Sequence, residues 1–225
     1  MIILKCDNKL KITDDIANEF IKYMSKYSNL YEELAQTIYK ELTENIDNPI
    51  ILDLGSGPGL INNEIKKILN KSIILSLDAS PEMLKKAHKS RNKAFEQKIN
   101  GILSISENIP IKANTIDILV SRFSLSYWNK PEKAFSEIHR IIKPNGKIIL
   151  EVLNKKFPKW KLFLIKIHMS LKFAGKEVIK YHIDAYKNAY HFDKIKSLLE
   201  SNGFKIIKKE FKEKDWKIKI IALKI

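Results

Sequence analysis

The stretch Ile51-Leu52-Asp53-Leu54-Gly55-Ser56-Gly57-Pro58-Gly59 decides the reading of this chain. Residues 50–54 are an apolar run interrupted by Asp53, which predicts a buried strand with a carboxylate near its carboxyl end. Gly55, Gly57 and Gly59 then permit a sharp turn, because glycine has no Cβ. An amphipathic helix is expected over 60–69. Its first N–H groups and positive dipole end face whatever lies against the turn. The next apolar run, 72–77, ends at Asp78, 19 residues past Gly59. In a right-handed strand–helix–strand unit the two strand ends are neighbours, and a carboxylate there can accept both hydroxyls of a ribose.

On either side of this unit, helices and strands alternate. Thr13 followed by Asp14 and Asp15 suits a helix start, and apolar spacing over 31–42 continues it, so helix is expected over 13–46 before Asn48-Pro49 breaks it. Ser80 as cap and Pro81 in the first turn open a helix after Asp78. Strands are expected at 101–105, 115–121 and 147–152, with a helix over 131–142 and a turn at Pro144-Asn145-Gly146. A helix over 191–201, closed by Gly203, precedes strands at 204–211 and 216–224. This alternation argues for an α/β fold, a mostly parallel sheet with helices on both faces.

Residues 154–190 break the rhythm and are too long for a simple connection, so a helical insertion after the fifth strand is expected. Trp160, Phe163, Leu164, Ile167 and Leu171 recur at helical intervals there, with Lys161, His168, Lys172 and Lys176 largely elsewhere on the wheel. The segment reads as a cap over a ligand site, a helix lying at a membrane surface, or a helix packed on the domain with a solvated lysine face.

At 225 residues, 44% apolar and 30% charged, the chain can bury a core as a single domain over 1–225, with an N-terminal helical segment (1–46) and the insertion (154–190). It has no uninterrupted apolar run of about 18 residues, so no membrane span is expected. The first residues lack the features of a secretion signal, and Cys6, the sole cysteine, excludes an internal disulfide or thiolate metal cluster. A cytoplasmic protein without a metal site is the expectation. The formal charge is +15, with 19 basic and 8 acidic residues in 151–225. That region could meet nucleic acid or an anionic surface. Against a nucleic-acid footprint, only Arg91, Arg122 and Arg140 are arginine, the residue favoured for bidentate readout. The lysine, isoleucine and asparagine bias also suits genomic composition.

The glycine spacing is G-x-G-x-G, not the G-x-G-x-x-G of dinucleotide sites. Asp53, two positions before Gly55, would repel a pyrophosphate and suit a ligand bearing an amine and a sulfonium. Both features point to S-adenosylmethionine rather than NAD. The string Ile51 to Gly59 resembles the first motif of class I S-adenosylmethionine-dependent methyltransferases. LSLDASPEMLKKA (75–87), AFSEIHRIIKPNGKIIL (134–150) and HFDKIKSLLESNGF (191–204) resemble their later segments. The resemblance covers roughly residues 40–153 and 190–225 and is nearest to small-molecule enzymes of the ubiquinone and menaquinone type. It implies a Rossmann-like, seven-stranded sheet with an antiparallel last strand.

Position by position, the resemblance implies that Gly55, Ser56, Gly57 and Gly59 face the methionine part of the cofactor and that Asp53 reaches its amine. Asp78 would take the ribose hydroxyls, with Ala79 and Met83 flanking adenine. Ser106 and Glu107 match the pair near the adenine edge, where Ile105 replaces the acid usual before them. Arg122 would line the cofactor, and Tyr23 and Tyr27 would close over it or simply pack in the core. Candidate bases are Tyr127, where the family often has histidine, together with His168, Tyr181, His182 and Tyr186.

The sequence SRFSLSYWN (121–129) stands where a planar-amine motif would be, which disfavours methylation of adenine N6, cytosine N4 or glutamine amides. Cys6 lies outside the core motifs, which disfavours pyrimidine C5 chemistry. Direct in-line transfer to a small or amphiphilic molecule, anionic or lipid-like, is the expected function. An RNA methyltransferase using the basic C-terminal region, and a non-catalytic cofactor-binding partner subunit, are the alternatives.

Overall fold

The computed structural model describes residues 12–42, 46–89, 100–211 and 215–225; Cys6 and Arg91 lie outside them. Its strands are β1 (Ile50–Leu54), β2 (Ile73–Asp78), β3 (Asn100–Leu103), β4 (Ile116–Arg122), β5 (Ile142–Leu153), β6 (Phe204–Glu210) and β7 (Lys217–Lys224). They form one sheet in the order β3-β2-β1-β4-β5-β7-β6. The β1–β2, β1–β4, β2–β3 and β4–β5 pairs are parallel, while β7 runs antiparallel to both β5 and β6. The predicted sheet and its reversed last strand are both present.

Alternation within each strand sends neighbouring residues to opposite faces. Leu52, Leu54, Leu77 and Leu119 pack on one face with α5 (Pro131–Ile141) and α8 (Phe192–Glu200), through Phe135, Ile138, Ile195 and Leu199. Ile51, Ile74, Ile118 and Ile149 pack on the other with α2 (Ser28–Glu41) and α3 (Leu60–Ile68), through Leu34, Ile38, Ile61 and Ile65. The chain leaves β1 toward β2 on one side and returns as β4 on the other. The carboxyl end of β1 therefore sits at a topological switch point, where open α/β sheets take ligands.

Three elements depart from expectation by more than a single residue. The leading helix is two helices, α1 (Asp14–Met24) and α2, joined by a 3₁₀ turn at Ser25–Tyr27. The turn contains neither Gly nor Pro; Tyr27 departs from helical geometry (φ −125°, ψ 39°) and redirects the chain onto the sheet. Strand β3 ends at Leu103, before Ile105. Strand β5 begins at Ile142 and carries the expected turn as a bulge: Ile116 pairs with Ile142 but Ile118 with Lys147, and Asn145 takes φ +62°. The insertion forms α6 (Lys159–Leu171) and α7 (Lys176–Lys187), and α4 (Pro81–Lys89) follows β2 as expected.

Candidate active site

The turn after β1 is pinned by the end of β2. The N–H groups of Gly55 and Ser56 both donate to Leu77 O, at 2.7 and 3.0 Å. Gly57 N–H donates to Asp78 Oδ2 and Ser80 N–H to Asp78 Oδ1, each at 2.8 Å. The Asp78 carboxylate thus welds the two strand ends together, and burial raises its pKa despite those bonds. Two glycines serve different ends. At Gly55 (φ +74°) a Cβ would lie 2.4 Å from Ser124 Cβ, whereas at Gly57 (φ +53°) it would meet nothing within 4 Å. Gly55 answers to packing, and Gly57 leaves open space beside the turn.

That space is a cavity of about 680 Å³, within the range of small-molecule sites. Asp53, Gly55, Ser56, Gly57, Asp78, Ala79, Met83, Ser106, Glu107 and Arg122 line it, as do Tyr23 and Tyr27 from the N-terminal helices. Gly59 does not; a Cβ there would press on Ala87 of α4 at 3.0 Å, so this glycine serves helix packing.

Asp53 is only 3% exposed, and its Oδ2 has no hydrogen-bond partner. Burial, with Asp78 nearby, pushes its pKa up to about 8. The Ser56 hydroxyl is also buried without a partner. Arg122 Nη1 donates to Leu30 O (3.0 Å) and lies 2.9 Å from Glu151 Oε2, near enough for an ion pair though not aligned as a hydrogen bond. Its guanidinium sits 4.7 Å above the Tyr31 ring, leaving Nε and Nη2 buried and unpartnered. Buried polar groups are rarely left so. A ligand with a cationic amine for Asp53 and a carboxylate for Arg122 would satisfy both ends, so these residues fit the aminoacyl part of S-adenosylmethionine.

Glu107 is committed elsewhere. Its Oε1 accepts from Asn129 N–H (2.7 Å) and Lys130 N–H (2.9 Å), and its Oε2 accepts from Ser106 Oγ (2.8 Å). It braces the start of α5, so the adenine-edge role expected of it has to share a carboxylate already holding three protein donors.

Among the expected bases, Tyr127, His168, Tyr181 and His182 line the cavity. Tyr186 does not: it stacks on Phe157 and its hydroxyl donates to Trp216 O at 3.4 Å. Burial raises the pKa of Tyr127, whose hydroxyl donates to Tyr181 O at 2.8 Å, and lowers that of His182 to about 4. Tyr27 Oη lies 3.0 Å from His168 Nε2, joining the N-terminal turn to α6.

Three contributors escaped sequence reasoning. Glu151, 1% exposed, anchors both Arg122 and Lys217 (2.6 Å). An acid inside the apolar run of the fifth strand was the available signal. Phe123 holds left-handed backbone (φ +56°) on the cavity wall, 5.2 Å from the Trp216 ring. Ser124 sets the limit at Gly55. Nothing local in the sequence marks the last two. Among the described residues, no group of three or more His, Cys, Asp or Glu is placed to hold a metal ion.

Residues 52–150 match the family model "Methyltransferase domain". The chain is 25% identical to a protein of Methanococcus maripaludis assigned as an S-adenosyl-L-methionine-dependent methyltransferase, whose solved structure superposes with a TM-score of 0.67 over 96% of this chain and 94% of that one. Over residues 52–150 the chain is thus similar to the methyltransferase domain of class I S-adenosylmethionine-dependent methyltransferases. It is 30% identical over 158 residues to the ubiquinone/menaquinone biosynthesis C-methyltransferase UbiE of Wigglesworthia glossinidia brevipalpis, covering 68% of this chain and 63% of that protein. It is 32% identical over 148 residues to the biotin biosynthesis bifunctional protein BioHC of Saccharophagus degradans, covering 65% of this chain but 25% of that protein. The chain thus spans a quarter to less than two thirds of these two relatives.

Proposed function

We propose that this methyltransferase moves the methyl group of S-adenosylmethionine directly onto a small, amphiphilic or largely apolar acceptor. The unpartnered, buried Asp53 beside the glycine turn carries this reading. Asp53 takes the amine of the cofactor, Arg122 its carboxylate and Asp78 the ribose hydroxyls. Ala79 and Met83 flank adenine, and Tyr23 and Tyr27 cover the donor. The bound cofactor supplies an already activated methyl group, so the protein's task is alignment and exclusion of water.

Phe20, Ile165, Met169, Val178 and Ala185 give the far side of the cavity an apolar wall, which supports an amphiphilic acceptor. The quinone and biotin pathways named for two relatives also support a small one. Residues 1–225 then act as one unit, with 154–190 as the cap. A single cysteine fits a reducing cytoplasm. The low pKa of His182 leaves it neutral at physiological pH, suited to accepting a hydrogen bond from the acceptor. For an acceptor that arrives protonated, we favour His168 as the base: it is solvent-exposed and joined to Tyr27.

Calorimetric titration with S-adenosylmethionine and S-adenosylhomocysteine tests the site. The pKa of Asp53 is raised from 3.8 to about 8, so before the donor binds Asp53 holds a proton at pH 7. Folded protein therefore binds more protons than unfolded between those values, and the Asp53 contribution to stability is lost as pH rises toward about 8. Binding the donor's amine should expel that proton, detectable as a dependence of the heat on buffer ionisation. Asp53→Asn should abolish the proton release and weaken binding by about tenfold or more. Absence of heat from both ligands with folded protein overturns the proposal.

A further inference from the structure

Helix α6 forms a wall of the cavity through Ile165, His168 and Met169 and turns a different face outward. On that outward face Trp160 is 64% exposed, Phe163 62% and Leu171 72%, with Leu164 and Ile167 also exposed. At about 100° per residue these five fall within an arc of about 100°, a continuous apolar stripe. Exposed apolar side chains scattered singly need no explanation; an aligned set including Trp and Phe does. The stripe is flanked. Lys161 and Lys172 fall about 110–130° to one side of its centre, Lys159 and Lys166 about 90–110° to the other. Helix α6 has no acidic residue, and residues 154–190 hold nine lysines against two acids. Of those acids, Glu177 faces Lys180 and Asp184 faces Lys187. Among the described residues, none of the four flanking lysines is ion-paired with a carboxylate.

We propose that α6 docks in the plane of an anionic lipid surface, with its apolar stripe at the acyl boundary and its lysines reaching the phosphates. Long lysine stems let the charge rise to headgroup level while the helix body is buried. Apolar insertion combined with lysine attraction to anionic lipid is the binding mode of interfacial helices. Charge decides against the other occupants. A second copy docked symmetrically on the stripe would bring like-charged lysine rows together. Nucleic acid would satisfy the lysines but leave Trp160, Phe163 and Leu171 in water. No helix among the described residues is long and apolar enough to cross a membrane, so the attachment is peripheral. It leaves the methyl-transfer chemistry unchanged and brings one cavity wall to the lipid.

The test is co-sedimentation of the full chain with vesicles of phosphatidylcholine alone and of phosphatidylcholine mixed with phosphatidylglycerol. The expected result is binding to the mixed vesicles, weakened by salt, with a blue shift of Trp160 emission that Trp160→Leu removes. Phe163→Glu and Leu171→Glu should each reduce vesicle binding by about tenfold or more, with donor binding and circular dichroism unchanged. Both side chains are exposed and neither lines the cavity, so the variants should fold. Three results overturn the proposal: no binding to mixed vesicles at low salt, binding indifferent to both glutamate variants, or a concentration-dependent dimer that those variants abolish. Because donor binding is read separately, failure at the lipid leaves the methyltransferase reading untouched.

Discussion

On the β1–β2 side of the cavity, the turn is held by backbone bonds to Leu77 O and by both oxygens of Asp78. Asp53, Ser56 and Arg122 keep unpartnered polar atoms beside it. On the α1–α6–α7 side, Tyr23, Met169 and Val178 form a small apolar cluster, and the Tyr27–His168 and Lys26–Lys172 contacts are polar links beside it. The first wall is preorganised by hydrogen bonds to bind charge; the second is shaped by side-chain packing. Polar preorganisation fixes atoms to within tenths of an ångström, while apolar packing specifies volume. Under the proposed function the first is the donor wall, for a ligand whose chemistry never varies, and the second is the acceptor wall.

The contrast predicts that damage to the donor wall costs much stability or donor affinity, and that damage to the acceptor wall costs little stability and no donor affinity. The largest effect is expected at Glu151, where Glu151→Ala leaves Arg122 and Lys217 without their shared counter-charge. Unfolding in urea should show a loss of about 3–5 kcal/mol, and donor binding should weaken as Arg122 shifts. Next come the two glycines. Gly55→Ala combines left-handed strain with the collision at Ser124 and should cost about 2–4 kcal/mol. Gly57→Ala meets open space and should cost only about 1–2 kcal/mol from backbone strain, while its methyl group obstructs the donor. Denaturation and donor titration of both variants would reverse the contrast if Gly57→Ala proved the more unstable. The smallest effect is expected from Tyr127→Phe. It removes one hydrogen bond to Tyr181 O, about 1 kcal/mol, and should leave donor affinity as it was. A drop in that affinity would show that the acceptor wall reaches the donor.

Much of the donor wall was legible before any coordinates. Asp53, Gly55, Gly57 and Asp78 are close in sequence, and one strand–turn–helix–strand unit brings them together. The acceptor wall was legible only in part: 154–190 read as a cap among other readings, with His168, Tyr181 and His182 as candidate bases, but not the apolar residues around them. Phe20, Phe123, Ile165, Val178 and Trp216 come from five separate segments, and no local pattern says that they share a cavity. Glu107 shows the same limit from the other direction: its position suggested a place at the adenine edge, and only the structure shows that it also braces Asn129 and Lys130.

The sequence by itself determined the alternation of strands and helices, the glycine turn and the two carboxylates at neighbouring strand ends. Each follows from periodicity or backbone freedom over a few residues. Only the tertiary structure decided which of Gly55, Gly57 and Gly59 leaves room for a ligand, that Glu151 anchors Arg122, and which face of α6 meets solvent. Those depend on burial and on distances between segments far apart in the chain, and a linear pattern carries neither.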